Sequence, residues 1–206
     1  GPINMGLDEK EVEKRVKKAL LKVGLEGFET KVPHNLSYGQ KKRVALAAVL
    51  SMEPKVLVLD EPTANLDPKS RVDFIRLINE LNERDGITTI IAMHDVNALP
   101  ELANQVYVLN RRIVAEGSPR EIFSDWELLK ENSLEAPDVF KLFKVLNCFG
   151  YSSDDLPLSF DEAIQVLTRT IEGKDGHIHL HVHEHTHKEI SNVIQSYNHH
   201  HNNGKK

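Results

Sequence analysis

Cysteine is almost absent from this sequence: Cys148 is the only one among 206 residues. An internal disulfide is therefore excluded, as expected of a protein kept in a reducing cytosol. No Cys-centred motif surrounds Cys148, so the expected role is a small buried hydrophobe rather than a nucleophile. Long apolar runs are absent too. None reaches the roughly 20 residues of a membrane-spanning helix, and no secretory signal pattern opens the chain. Positive charge is in deficit, with 26 Lys and Arg against 31 Asp and Glu. That balance argues against nucleic acid as a partner. The run Lys41-Lys42-Arg43 reads as a solvated helix face, since no aromatics are interleaved with it. Methionine is missing from position 1, where Gly stands, and the sequence is expected to begin inside a longer chain.

The composition that remains, 40% hydrophobic and 28% charged, is that of a soluble globular protein. The length suits one good-sized domain with an appendix. Histidine is unevenly spread: of the eleven in the sequence, nine lie beyond residue 176.

Residues 8–23 read as an amphipathic helix. Asp8 is placed to cap it, Val12, Val16, Ala19, Leu20 and Val23 form its apolar stripe, and Gly24 is its stop. After Pro33, Ser37 precedes a helix over about 39–51. The continuous apolar run Val56–Leu59 predicts a strand buried on both faces. Asp67 and Pro68 open the next helix, to about Arg84. "ITTIIAM" (87–93) predicts a second buried strand, then a short helix, then a hairpin of 106–109 with 112–117 turning at Asn110-Arg111. Helix and strand alternate, which predicts an α/β fold with a largely parallel sheet. Beyond Ser118 only short helices are expected, at 119–124, 125–131, 137–148 and 159–171, the last with a capping box of Ser159 and Glu162.

"VLVLDEP" (56–62) ends a buried strand on two adjacent carboxylates. Ligands of parallel sheets lie beyond the carboxyl ends of the strands. There Asp60 can hold Mg²⁺ directly or through water, and Glu61 can take a proton from an attacking water. The plain alternative is a pair of solvated loop acids. "MHD" ends the following strand and brings His94 to the same edge, where it can meet a γ-phosphate or position the water. Upstream, Ser37, the Gly39 backbone and a helix N-terminus make an anion site, or simply an ordinary capped helix start.

Together and in this order, these stretches resemble the ATP-binding cassette (ABC) ATPase family. "LSYGQKKRVALA" looks like the family's signature motif, "VLVLDEP" like Walker B with its catalytic Glu, "ANLD" (64–67) like the D-loop and His94 like the switch histidine. The resemblance covers about Leu7 to Gly117. "GPINMGL", "VPHNLSYGQKKRVALAAVLSMEPKVLVLDEPTANLDP" and "EGSPREIFSD" look like the cobalt and nickel branch of energy-coupling-factor importers. The resemblance implies the C-terminal part of a P-loop ABC ATPase at 1–117: a helical signature subdomain plus a RecA-like, mostly parallel sheet. It also implies a small helical dimerisation domain at 118–172. A His-rich tail, expected to be disordered, fills 173–206.

Carried over by position, Asp60 would orient Mg²⁺, Glu61 would act as general base and His94 would contact the γ-phosphate. Ser37, Gly39 and Gln40 would bind ATP held by a second ABC ATPase subunit, and Asp67 would bridge to the opposite site. The implied partners are that second subunit, like or unlike, and transmembrane energy-coupling and substrate-capture subunits. The implied location is the cytoplasmic face of the plasma membrane.

The sequence departs from the family in two places. Tyr38 stands where the wider family usually has Gly, though Tyr is found there in this branch. The phosphate loop G-x-x-x-x-G-K-[ST] is absent, as are the glutamine loop and the aromatic that stacks on adenine. In the family these lie just upstream of "GPINMGL", so the expectation is the C-terminal two-thirds of a longer subunit. Lacking the N–H cradle and its Lys, this chain alone is expected not to hydrolyse ATP. It is also expected to expose apolar sheet surface.

In "HIHLHVHEHTH", His177, His179, His181, His183, His185 and His187 alternate strictly. In an extended chain all six share one side, about 6–7 Å apart. With His199, His200 and His201 they suit Ni²⁺, Co²⁺, Zn²⁺ or Cu²⁺, copper binding most strongly, with weaker binding below about pH 6; the resemblance implies Ni²⁺ or Co²⁺. Three readings compete: the ATP-hydrolysing subunit of a metal importer, a divalent-metal-binding or docking module, and an ABC ATPase without a membrane partner.

Overall fold

The computed structural model describes residues 1–148 and 156–173. The expected His-rich metal ligands, His177 to His187 and His199 to His201, lie outside the described residues. Two compact units divide between His94 and Asp95. The hairpin, expected to close the first domain at 117, thus belongs with the helices that follow it.

The first unit runs helix, helix, strand, helix, strand. A 3₁₀ turn at Pro2–Met5 precedes α1 (Glu9–Lys22). The Glu11 N–H donates to Asp8 Oδ1 at 3.0 Å, satisfying an orphan donor of the first turn. The Glu11 carboxylate does not reach back to close a box. It accepts instead from Arg15 Nε at 2.8 Å. Gly24 ends α1 at φ 71, with Leu25 N–H donating to the Leu20 carbonyl and Gly24 N–H to that of Leu21. This is a Schellman closure, which needs the left-handed residue that only Gly adopts without strain. A second helix, α2 (Tyr38–Leu50), packs on α1; Ala19 and Leu20 of α1, Val23 just after it, and Leu46, Ala47 and Leu50 of α2 are buried.

Strand β1 (Val56–Asp60) leads into α3 (Pro68–Glu83), which turns Phe74, Ile75, Leu77, Ile78 and Leu81 inward. Strand β2 (Thr88–Ala92) then pairs parallel with β1. The pair differs from expectation. Leu57 is 2% exposed, but Val58 beside it is 71% exposed and Ile90, its partner in register, is 55% exposed. Successive strand residues face opposite sides, and the residues of this unit cover only the Leu57 side. The bare face matches the exposed apolar sheet surface that the sequence predicts.

The second unit starts with α4 (Leu99–Leu102). Strands β3 (Val106–Asn110) and β4 (Arg112–Gly117) form an antiparallel hairpin that turns at Arg111, φ 59, with an irregularity between Val108 and Leu109. Among the described residues, β1–β2 and β3–β4 form two separate strand pairs, one in each unit. Four helices follow, α5 (Pro119–Ser124), α6 (Trp126–Glu131), α7 (Asp138–Cys148) and α8 (Phe160–Gly173). Phe123, Leu129, Ala136, Phe140 and Leu158 form one core cluster; Phe143 and Ala163 centre a second. Truncating Phe143, 1% exposed, to Ala would cost about 3–5 kcal/mol. The expected capping box at α8 is half made. Glu162 N–H donates to Ser159 Oγ at 3.2 Å, but the Glu162 carboxylate accepts from the Leu158 N–H and Arg120.

Candidate functional site

Both candidate catalytic groups sit at the carboxyl ends of the parallel pair. Asp60 and Ala92 are partners in register, and the ladder continues one residue further, with Glu61 N–H donating to the Ala92 carbonyl at 2.9 Å. The chain then turns sharply. Glu61 has φ 46, a left-handed value unusual outside glycine, and Pro62 and Thr63 are buried behind it. This geometry brings Glu61 Oε1 to 2.6 Å from His94 Nδ1. The ring is largely exposed and the carboxylate half-buried. A carboxylate on Nδ1 holds the imidazole in one orientation, so a γ-phosphate would be met through Nε2.

Asp60 is exposed on the bare face of the strand pair. Among the described residues no group of three or more His, Cys, Asp or Glu could hold a metal ion. A single open carboxylate at a strand end is nevertheless what Mg²⁺ takes when substrate phosphates and water complete its shell. Asp60 therefore fits Mg²⁺ as one ligand of a nucleotide-bound ion.

Ser37, Gly39 and Gln40 open α2 as a reciprocal capping box. Gln40 N–H donates to Ser37 Oγ at 3.2 Å, and Ser37 N–H donates to Gln40 Oε1 at 2.9 Å. The ordinary reading of a capped helix start is thus realised here. It also holds the Ser37 hydroxyl and the first-turn N–H groups at a helix N-terminus, the geometry an anion uses. Asp67 caps α3, accepting from Ser70 N–H at 3.0 Å. The Ser70 hydroxyl first, and its N–H second, hold the Asp67 carboxyl below the usual carboxylate range.

The basic run is not a solvated face. Lys42 Nζ donates to the carbonyls of Glu61 at 3.0 Å and Pro62 at 2.8 Å. Arg43 donates to the Val23 carbonyl at 3.0 Å and faces Asp73. Both are half-buried; only Lys41 is exposed. Spacing carried a signal that composition hid: positions 42 and 43 lie on the same helix face as Leu46 and Ala47, four residues on, which are buried. Ser70 is a further residue that sequence reasoning passed over. A Cβ on Gly39 would lie 3.2 Å from its Oγ, so the openings of α2 and α3 abut.

The sequence model described as ABC transporter matches residues 3–64. The energy-coupling factor transporter ATP-binding protein EcfA of Methanocaldococcus jannaschii is 48% identical over 172 residues, 83% of this chain and 60% of that protein. The EcfA of Methanococcus maripaludis is 51% identical over 148 residues, 71% of this chain and 53% of that protein. Among solved structures, CbiO1 from Clostridium perfringens, described as part of the ABC transporter complex CbiONQ, matches with TM-score 0.56 and 46% identity. That match covers 64% of this chain and 53% of the other. The chain spans little more than half the length of these relatives.

Proposed function

Because the chain belongs to the ATP-binding family of ABC transporters, we propose that it supplies the hydrolytic half-site of a subunit that binds and hydrolyses ATP to energise an energy-coupling-factor importer. The observation that carries this reading is the 2.6 Å contact of His94 Nδ1 with Glu61 Oε1, at the ends of two adjacent parallel strands. A general base must be oriented before it can act, and here an imidazole fixes the carboxylate. Glu61 accepts the proton of the attacking water. His94, anchored through Nδ1, presents Nε2 to the γ-phosphate. Asp60 would hold Mg²⁺, which supplies charge neutralisation of the phosphates when bound. Ser37 and Gly39, at the start of α2, would meet nucleotide held by a second subunit, and Asp67 would reach the opposite site.

The transported ion is cobalt or nickel in this reading, supported by the branch-like stretches of the sequence. Transmembrane partners would carry the ion. Among the described residues no helix is long and apolar enough to cross a membrane. The subunit would sit on the cytoplasmic membrane face. The alternating His run, 177–187, would bind the same class of divalent ion. Titration with Ni²⁺ alone checks this: binding of unchanged stoichiometry and affinity after all six His are changed to Ser would refute it.

Nucleotide hydrolysis decides the main reading. A chain extended upstream with a G-x-x-x-x-G-K-[ST] loop is expected to release phosphate from ATP, with Glu61→Gln lowering the rate by about 10²–10⁴. Full activity in Glu61→Gln would overturn it.

A further inference from the structure

Lys42 lies on α2, the helix that begins with the signature motif, yet its ammonium ends at the turn that carries Glu61. It donates to two successive carbonyls, those of Glu61 and Pro62, at 3.0 and 2.8 Å. Hydrogen bonds from a charged donor are shorter and stronger than neutral ones, and two on adjacent peptide units fix the rotation of both. That rotation matters here. Glu61 holds φ 46, a conformation that a side-chain-bearing residue keeps only where its surroundings over-determine it. Those surroundings are the Glu61 N–H bond to the Ala92 carbonyl, the Ala64 N–H bond to the Glu61 carbonyl, and Lys42.

Tyr38 adds to the arrangement. One helical turn before Lys42, it places its ring centroid 5.7 Å from Nζ, within the range of a cation–π contact. The residue that departs from the wider signature pattern thus faces the ammonium that holds the turn.

We propose that Lys42 is a positioning residue: it locks the Glu61–Pro62 turn and so ties the aim of the Glu61 carboxylate to the helix opened by Ser37, Gly39 and Gln40. The inference rests on the role of Glu61 as base. It links two sites through one short stretch of helix. Nucleotide of a second subunit would bear on the start of α2, and Lys42, five residues on from Ser37, transmits any shift of that helix to the carboxylate acting on the chain's own nucleotide.

Amide exchange and ¹⁵N ring shifts of His94 test this in the 206-residue chain, comparing Lys42→Met, Lys42→Gln and Lys42→Arg. Loss of a charged hydrogen bond predicts exchange about tenfold faster at the Glu61 and Ala64 amides in Lys42→Met, with α1 amides changed by less than about twofold. The His94 ring shifts should move with them. Lys42→Arg, which can span both carbonyls, should restore both readouts. Should Lys42→Met fail to fold, Lys42→Gln gives the same comparison. Unchanged exchange at Glu61 and Ala64, uniform acceleration that includes α1, or no restoration by Arg would each overturn the proposal. No hydrolysis is measured, so an upstream-extended chain with a phosphate loop that failed to turn over ATP would refute the function proposed above without touching this result.

Discussion

Gly39 and Ser70 are close neighbours: a Cβ on Gly39 would stand 3.2 Å from Ser70 Oγ, tighter than an ordinary contact. Ser70 is in turn bound to Asp67. In Gly39→Ala the helix gains about 0.5–1 kcal/mol from the lost glycine, while the Ser70 hydroxyl must yield. We expect it to swing away from Asp67, and the Asp67 carboxyl to titrate closer to an ordinary aspartate. Carboxyl-detected NMR titration reads this directly. In a Ser70→Ala background the same Gly39→Ala change should leave Asp67 unmoved, and a shift there would refute the contact.

Acid should weaken the fold through named carboxylates. Asp67 is held low by Ser70, and Glu121 by the Ser118 N–H first and the Ser118 hydroxyl second. A folded pKa below the unfolded one gives stability that is complete above the unfolded value, near 4. It is lost as pH falls through the lowered folded value. Urea midpoints should therefore hold from pH 7 to about 5 and drop below about 4. Glu121→Gln, which removes the titrating carboxyl, should flatten that drop; an unchanged acid slope would discount Glu121 as a contributor.

Phosphate release separates the parts of the site. The 206-residue chain by itself should show no turnover, because it has no phosphate-binding loop. In a chain carrying such a loop, His94→Ala removes a donor to the transferring phosphate and should cost about 10²–10³ in rate. Turnover by the unextended chain that Glu61→Gln abolishes would overturn this account.

The bare face of the parallel pair should be tolerant where the covered face is not. Val58→Thr, at 71% exposure, should change stability by less than about 0.5 kcal/mol and reduce light scattering in concentrated samples. Leu57→Ala, at 2% exposure, should cost about 2–5 kcal/mol. Similar penalties for both, by urea unfolding, would mean the Val58 side is covered in solution.

Much of the secondary structure was legible because its causes are local. Asp8, Ser37 and Asp67 each cap the helix that follows within three residues, and Gly24 closes α1. Apolar runs marked β1 and β2. The Ser159–Glu162 box was only half right, since Arg120 and the Leu158 N–H claim the Glu162 carboxylate. Arg120 stands 42 residues away from Glu162 in sequence, beyond what a local pattern carries. Lys42 and Arg43 were misread for the same reason, their acceptors lying about 20 residues off.

By itself, then, the sequence determined the helix ends, the strands, the family and the identity of Asp60, Glu61 and His94 as candidates, since caps, hydrophobic runs and motifs are written in consecutive residues. Only the tertiary structure decided that Glu61 meets His94 across 33 residues and Lys42 across 19. It also decided that one face of the strand pair stays bare. The physical reason is register. With Asp60 paired to Ala92, both strands deliver their last residues to one edge. A slip of one residue would turn each side chain to the other face and part the base from its histidine.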